Sequence, residues 1–243
     1  MDSTRRLSVV AAFLVLAGVA IYRTTQVRKQ QKTSSARSVL RSLPSLQNVY
    51  FAIRHGESEA NVTCVVSSDK VLATKQHGLT SKGKEDARRG AEDIAKHLED
   101  MAREVVLIHS PFLRTTQTAQ VVRDVLGSKC SEMRQEVLLC ERSFGVFEGK
   151  NSHESYNQVW AQDEINGCKE NSFECESVYA VSDRAAEVIL RCEREFKDKA
   201  IVIVSHGDIL QIMRSTLIRD MDPKHHRRGE HLNPGQAIRL HLS

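Results

Sequence analysis

The chain has 243 residues, room for one well-packed core and a tail, and a net charge of +4. The charge is uneven: residues 1–46 hold eight Lys/Arg against one acid (+7), and residues 47–243 hold 27 against 30 (−3). The larger part thus lacks the basic excess of a nucleic-acid binder, and its sparse aromatics are not interleaved with basic residues as a single-strand platform requires.

Leu7 to Tyr22 is apolar except for Ser8. As a helix its 16 residues span about 24 Å, a little short of a hydrocarbon core of ~30 Å, and Arg5, Arg6 and Arg23 bracket it where they can snorkel. More positive charge follows the run than precedes it, so the positive-inside rule keeps the rest of the chain in the cytosol. We therefore expect residues 1–23 to be a membrane anchor or targeting segment. The favoured form is a single pass with a cytosol-facing domain on the endoplasmic reticulum or mitochondrial outer membrane. A secretory signal and, from the absence of acids between Ser3 and Gly56, a mitochondrial import segment are the competing readings. Residues 24–46 read as a basic polar linker and residues 47–243 as the folded domain.

Within that domain, Val49–Ile53 reads as a buried strand ending at Arg54-His55-Gly56-Glu57. Leu79-Thr80-Ser81 opens a helix with Thr80 or Ser81 as N-cap, and Ala87, Ala91, Ile94, Leu98 and Met101 form its apolar stripe. Glu104–Ile108 is a second strand, leading to His109-Ser110-Pro111 and Arg114. Thr115–Leu126 is a helix stopped by Gly127, and Glu136–Leu139 a short strand leading to Glu141-Arg142. Residues 143–177 read as short helices and loop. Val178 to Phe196 is a long amphipathic helix, Ala200–Val204 a strand ending at Ser205-His206-Gly207-Asp208, and Ile209, Leu210, Met213 and Leu217 mark one more helix. Asn233-Pro234-Gly235 is a turn before a last strand, Ala237–Leu242. Strands alternating with helices predict an α/β fold, a mostly parallel sheet covered on both faces.

Ligands of open α/β sheets bind beyond the carboxyl ends of strands, so two histidines and two arginines distant in sequence converge on one pocket. Arg54 and Arg114 suit bidentate contact with phosphate oxygens. Neutral His55 is a nucleophile that needs no prior deprotonation. His206 offers a hydrogen bond or a charge to the same group, with Gly207 beside it. Glu141 is the candidate general acid, since a carboxyl among phosphate charges has its pKa raised. His77, His97, His109, His153 and His241 read as surface or core residues. His225-His226-Arg227-Arg228 is either a subsite for a second anionic group or a solvated basic loop. The six cysteines carry no C-x-x-C pair and no zinc spacing, so they read as reduced thiols.

Five blocks in order carry a resemblance. They are Arg54-His55-Gly56-Glu57 with Asn61; Leu79-Thr80-Ser81-Lys82-Gly83; Ser110, Arg114 and Thr118; Glu141, Arg142, Gly145, Glu148 and Gly149; and Ser205-His206-Gly207. The chain resembles the histidine phosphatase superfamily, phosphoglycerate mutase-like branch. The resemblance implies a three-layer α/β sandwich and a transient phosphohistidine at His55. It also implies a phosphate pocket of Arg54, Arg114, His206 and Asn61, Glu141 as proton donor, a small phosphorylated substrate, and neither metal nor cofactor. Mutases of the family carry longer insertions, and Glu141-Arg142-Ser143-Phe144-Gly145 is closer to its phosphatases, so phosphomonoester hydrolysis is the expected reaction. A mutase-type phosphotransferase, a membrane-tethered phosphoprotein phosphatase and an inactive phosphate-binding module are the alternatives. Relatives have Gly-Gly-Glu-Ser where this chain has Glu174-Cys175-Glu176-Ser177.

Overall fold

The computed structural model describes residues 35–168 and 172–242. The expected membrane segment (1–23) and residues 24–34 of the expected linker lie outside them. Among the described residues no helix is long and apolar enough to cross a membrane. In chain order the elements are α1 (Ala36–Arg41), β1 (Val49–Arg54), a single turn α2 (Glu59–Val62), α3 (Ser81–Leu98), β2 (Val105–His109) and α4 (Leu113–Leu126). There follow β3 (Cys130–Gln135), α5 (Ser152–Asn166), α6 (Val178–Glu195), β4 (Ala200–Ser205), α7 (Gly207–Met213) and β5 (Ala237–Leu240).

The strands form one sheet in the order β3-β2-β4-β1-β5. β1 and β2 both run parallel to the central β4, and β3 runs parallel to β2; only β5 is antiparallel, to β1. Residues along β1, β2 and β4 alternate between two cores. Tyr50, Ala52, Val106, Ile108, Ile201 and Ile203 face α6 and α7, whereas Phe51, Ile53, Val105, Leu107, Val202 and Val204 face α3 and α4. Both faces are covered, so these strands read as unbroken apolar runs. The α3 stripe Ala87, Ala91, Ile94 and Leu98 is fully buried, and Thr80 Oγ1 accepts from Gly83 N at 3.0 Å as the N-cap.

Four expectations are corrected. Residues 36–41 of the linker form α1, which packs on α6 through buried Leu40 and the Arg37–Asp183 ion pair (3.1 Å). The expected strand Glu136–Leu139 is instead a 3₁₀ turn that plugs Leu139 into the core, and the strand is β3, just before it. β3 is a polar edge strand with one neighbour, so it carries little apolar signal. Residues 152–166 form a full four-turn helix, α5, rather than short pieces. Its inner face buries Ser155, Val159 and Asp163, and Asp163 is there to meet Arg142, so no apolar stripe announces it. The last helix ends as α-helix at Met213, and residues 214–218 continue as a wider π turn.

Candidate active site

Parallel pairing brings three strand ends to the same level. His55 N donates to Ser205 O (3.0 Å) and Ser110 N donates to Val204 O (3.1 Å), so each ladder extends past its strand into the segments that carry the candidate residues. Because β4 lies between β1 and β2, the chain leaves the sheet in diverging directions here, which opens a crevice. The predicted turn holds the first segment from the far side: Gly235 N donates to the carbonyls of Arg54 and His55, both at 3.1 Å.

Glycine is required where the first two sequence blocks touch. A Cβ on Gly56 would stand 1.9 Å from Gly83 O, and one on Gly83 would stand 1.9 Å from Glu57 O. Gly83→Ala must push backbone from backbone directly behind His55. We expect a loss of about 3 kcal/mol and a Tm lowered by roughly 6–12 °C. A calorimetric Tm within 2 °C of the parent's, read at about the precision of such scans, would refute this close-approach role.

His55 is buried. Its Nδ1 donates to Gly56 O at 2.7 Å, leaving the Nε2 lone pair 3.2 Å from Arg114 Nε. Burial first, then Arg114 and Arg54, holds its pKa well below 6.5, so the ring is neutral at physiological pH. Arg114 is fixed by Ser67, through Nη2 to the backbone O (2.9 Å) and Nη1 to Oγ (3.3 Å). Burial lowers its pKa to about 10, which still leaves it charged at neutral pH. The His206 ring lies 5.3 Å from that of His55, at 65° to it. Its Nε2 is 2.8 Å from Ser110 Oγ. Arg54 Nη1 donates to Leu232 O (2.8 Å) and to His231 Nε2 (2.7 Å).

Two buried side-chain atoms among the described residues have no hydrogen-bond partner: Arg54 Nε and His206 Nδ1. With Ser110 Oγ–H donating to His206 Nε2, both orphans are N–H groups. Buried unpaired donors are costly, and two of them beside one pocket suit an anionic ligand there.

Glu141 is buried where the segment after β3 meets α7. Its Oε1 accepts from Arg142 N (2.9 Å) and Ile209 N (3.2 Å), and Oε2 accepts from Asp208 N (3.2 Å). Burial and then the Asp208 carboxylate raise its pKa above the usual carboxylate range, outweighing those three donors. Asp208 itself stays ionised, held by His226 Nε2 and Trp160 Nε1 (both 3.2 Å) and by Arg142 Nη1 (3.1 Å). Arg142 in turn grips Asp163 with both nitrogens, at 2.6 and 2.7 Å.

The cavity has two levels. An inner pocket of about 30 Å³ is lined by Arg54, His55, Ser58, Asn61, Arg114, Glu141 and Tyr156 among others. An outer chamber of about 340 Å³ shares Arg54, Asn61, Glu141 and Tyr156 with it and adds Phe144, His153, Trp160, Gly207, Asp208, Arg227 and His231. The structure thus gathers the sequence-selected His55, Arg54, Arg114, Glu141 and Asn61 around the inner pocket. His206 stands beside His55 and Gly207 lies on the chamber wall. Asn61 Oδ1 is occupied in capping α2, accepting from Ser58 N (3.0 Å) and Ser58 Oγ (2.9 Å), so only its Nδ2 is left to face the pocket. Gly207 lies against Arg54: a Cβ there would come 3.3 Å from Arg54 Cζ. His153, expected as surface or core, lines the chamber.

Sequence reasoning missed His231, Tyr156 and Trp160. His231 follows no apolar run, and the two aromatics sit on the helix that lacks a stripe. At the first of the relatives' two glycine positions Glu174 adopts left-handed backbone, φ 57°, as does Phe173 just before it, φ 60°.

Residues 50–242 match the histidine phosphatase superfamily (branch 1). Among curated proteins, "Probable phosphoglycerate mutase GpmB" of Escherichia coli is 25% identical over 174 residues, covering 69% of this chain and 74% of that protein. Among solved structures, Bacillus stearothermophilus YhfR superposes with a TM-score of 0.62 at 23% identity, over 78% of this chain and 89% of its own. The phosphoserine phosphatase of Entamoeba histolytica superposes with a TM-score of 0.59 at 21% identity, over 80% and 96%. The two structural likenesses concern the fold.

Proposed function

Since this chain belongs to the histidine phosphatase superfamily, we propose that it hydrolyses phosphomonoesters through a phosphohistidine formed on His55 Nε2. The observation that carries this reading is a neutral imidazole whose Nε2 lone pair meets Arg114, in a pocket flanked by the unpartnered Arg54 Nε and His206 Nδ1.

The phosphoryl group binds against Arg54 and Arg114, with His206 donating to a third oxygen, so charge spread over the equatorial oxygens is matched by fixed donors. Asn61 Nδ2 is placed to add one more contact. The Nε2–phosphorus bond forms as the phosphorus–oxygen ester bond breaks. The protonated Glu141 carboxyl gives its proton to the leaving oxygen, and the alcohol departs. Water then attacks phosphorus, the Glu141 carboxylate takes its proton, and the nitrogen–phosphorus bond breaks to release inorganic phosphate and restore neutral His55. Asp208 serves this cycle indirectly: its fixed negative charge, with burial, keeps Glu141 protonated to higher pH.

The curated relatives named as mutases make return of the phosphoryl group to a product hydroxyl the competing outcome. The two differ in where labelled phosphorus goes. With ³²P-labelled phosphomonoester and excess unlabelled alcohol acceptor, we expect the label to accumulate as inorganic phosphate. Label recovered chiefly in a new ester would assign a mutase.

A further inference from the structure

Three side chains of the basic run His225–Arg228 are already matched to acids. His225 Nδ1 and Arg228 Nη2 lie 2.7 and 3.0 Å from Glu164 Oε2, and buried His226 places Nε2 3.2 Å from Asp208 Oδ1. Arg227 is the exception. Among the described residues no carboxylate lies within ion-pair distance of it. Instead its guanidinium carbon stands 3.6 Å from the centre of the Trp160 ring, and Nη1 donates to Gln211 Oε1. The Gln211 amide is fixed in turn, Nε2 donating to His226 O (3.1 Å) and Gly229 O (3.0 Å). So Arg227 is a positioned, half-buried cation on the wall of the outer chamber with no carboxylate at ion-pair distance, Asp208 and Asp163 acting on it only from farther away. The two acids that share this wall are committed, Asp208 to its three partners and Glu141 to three backbone N–H groups.

A single imidazole separates Arg227 from the phosphoryl-binding Arg54. His231 Nε2 accepts from Arg54 Nη1 at 2.7 Å, so Nδ1 carries the proton and donates to Gln211 Oε1 at 3.0 Å, with Arg227 Nη1 3.4 Å away. Burial and the two flanking guanidinium groups lower the pKa of His231 to about 4, so this spacer is uncharged at neutral pH. A guanidinium stacked on indole keeps its N–H edge free for an anion in its own plane.

We propose that Arg227 reads a second anionic group on the substrate. The preferred substrates are then small phosphomonoesters that carry a carboxylate or second phosphate an imidazole's width from the reacting phosphoryl group. This inference rests on the phosphatase reading above, and the experiment separates the two.

Three esters of equal chain length suffice: propyl phosphate, 3-phosphonooxypropanoate and propane-1,3-diyl bisphosphate. We expect the wild-type protein to favour one or both doubly anionic esters over propyl phosphate by about tenfold or more in kcat/KM, the worth of one charge-assisted contact. The two anionic arms tell carboxylate from phosphate. Arg227→Gln should bring that preference close to unity. Equal kcat/KM on all three by wild type, or a preference that survives Arg227→Gln, overturns the role of Arg227 and leaves the phosphatase reading standing. Phosphate release from none of the three overturns the phosphatase reading, and this inference with it. Should Arg227→Gln fail to fold, Arg227→Lys, which keeps the charge but loses the planar N–H edge, takes its place: it should shrink the preference, and an unchanged preference overturns the role of Arg227.

Discussion

His55→Ala is expected to lower turnover of every phosphomonoester by about four orders of magnitude or more, because no other group can form the first bond to phosphorus. Arg114 cannot replace it, being charged, and His206 has its Nε2 engaged by Ser110. Ser67 still fixes Arg114 in the variant, so the cationic cradle persists and substrate should still bind. Rapid-quench trapping with labelled substrate should give wild-type protein an acid-labile, alkali-stable label that His55→Ala lacks. Turnover within about tenfold of wild type, or an undiminished label, would remove the nucleophile from the scheme. The same substitution has a stability consequence of definite sign. The pKa values of His55 and His206 are both held well below 6.5 in the folded protein, so the unfolded chain binds their protons first as pH falls. Stability therefore declines from the ordinary imidazole range downward, toward the depressed folded values; His109 and His231 contribute in the same sense, and the share of His55 alone is absent from His55→Ala. Urea titrations at descending pH should show a shallower loss for the variant.

The site was legible in the sequence where chemistry follows directly on a short apolar run. Val49–Ile53 and Ala200–Val204 are fully apolar because both sheet faces are covered, and their abrupt ends place Arg54-His55 and Ser205-His206 at strand termini. Adjacency in space did not follow from either run alone; it follows from β4 lying between β1 and β2. The unread parts share a cause. α5 carries Tyr156 and Trp160, yet its inner face is occupied by Asp163 for Arg142, so a helix essential to the chamber has no periodic apolar signature. β3 is a polar edge, and the apolar residues just after it misplaced the strand by half a dozen positions. His231 arrives from a loop between the basic run and the final turn, where no pattern distinguishes a ligand-facing imidazole from a solvated one. The basic run shows most plainly what sequence lacks. His225, His226, Arg227 and Arg228 are consecutive and look alike in the sequence, but Glu164 and Asp208 pair with three of them from other parts of the chain and leave Arg227 with no carboxylate at ion-pair distance.

Glu141→Gln is the second substitution expected to have a large effect, and its size should depend on the leaving group. The Gln side chain can keep the Oε1 bonds to Arg142 N and Ile209 N and gives up only the Oε2 acceptor of Asp208 N, so the fold and α7 should be retained. What it lacks is a proton to give. For an alkyl phosphate the departing alkoxide needs that proton, and kcat/KM should fall by about 10²–10⁴. For 4-nitrophenyl phosphate the phenolate departs unprotonated, and the fall in kcat/KM should stay below about tenfold. Because kcat/KM reports only steps through formation of the phosphohistidine, a slow hydrolysis of that intermediate does not blur the comparison. The pH profile follows from the same group. Burial and Asp208 raise the Glu141 pKa, so the acid form persists above the usual carboxylate range before it is lost. The alkyl substrate should therefore show an alkaline limb in kcat/KM that the nitrophenyl ester lacks, and that disappears in Glu141→Gln. An equal loss with both esters, or an alkaline limb that persists in the variant, would reduce Glu141 to a buried carboxyl that merely holds α7 against the strand ends.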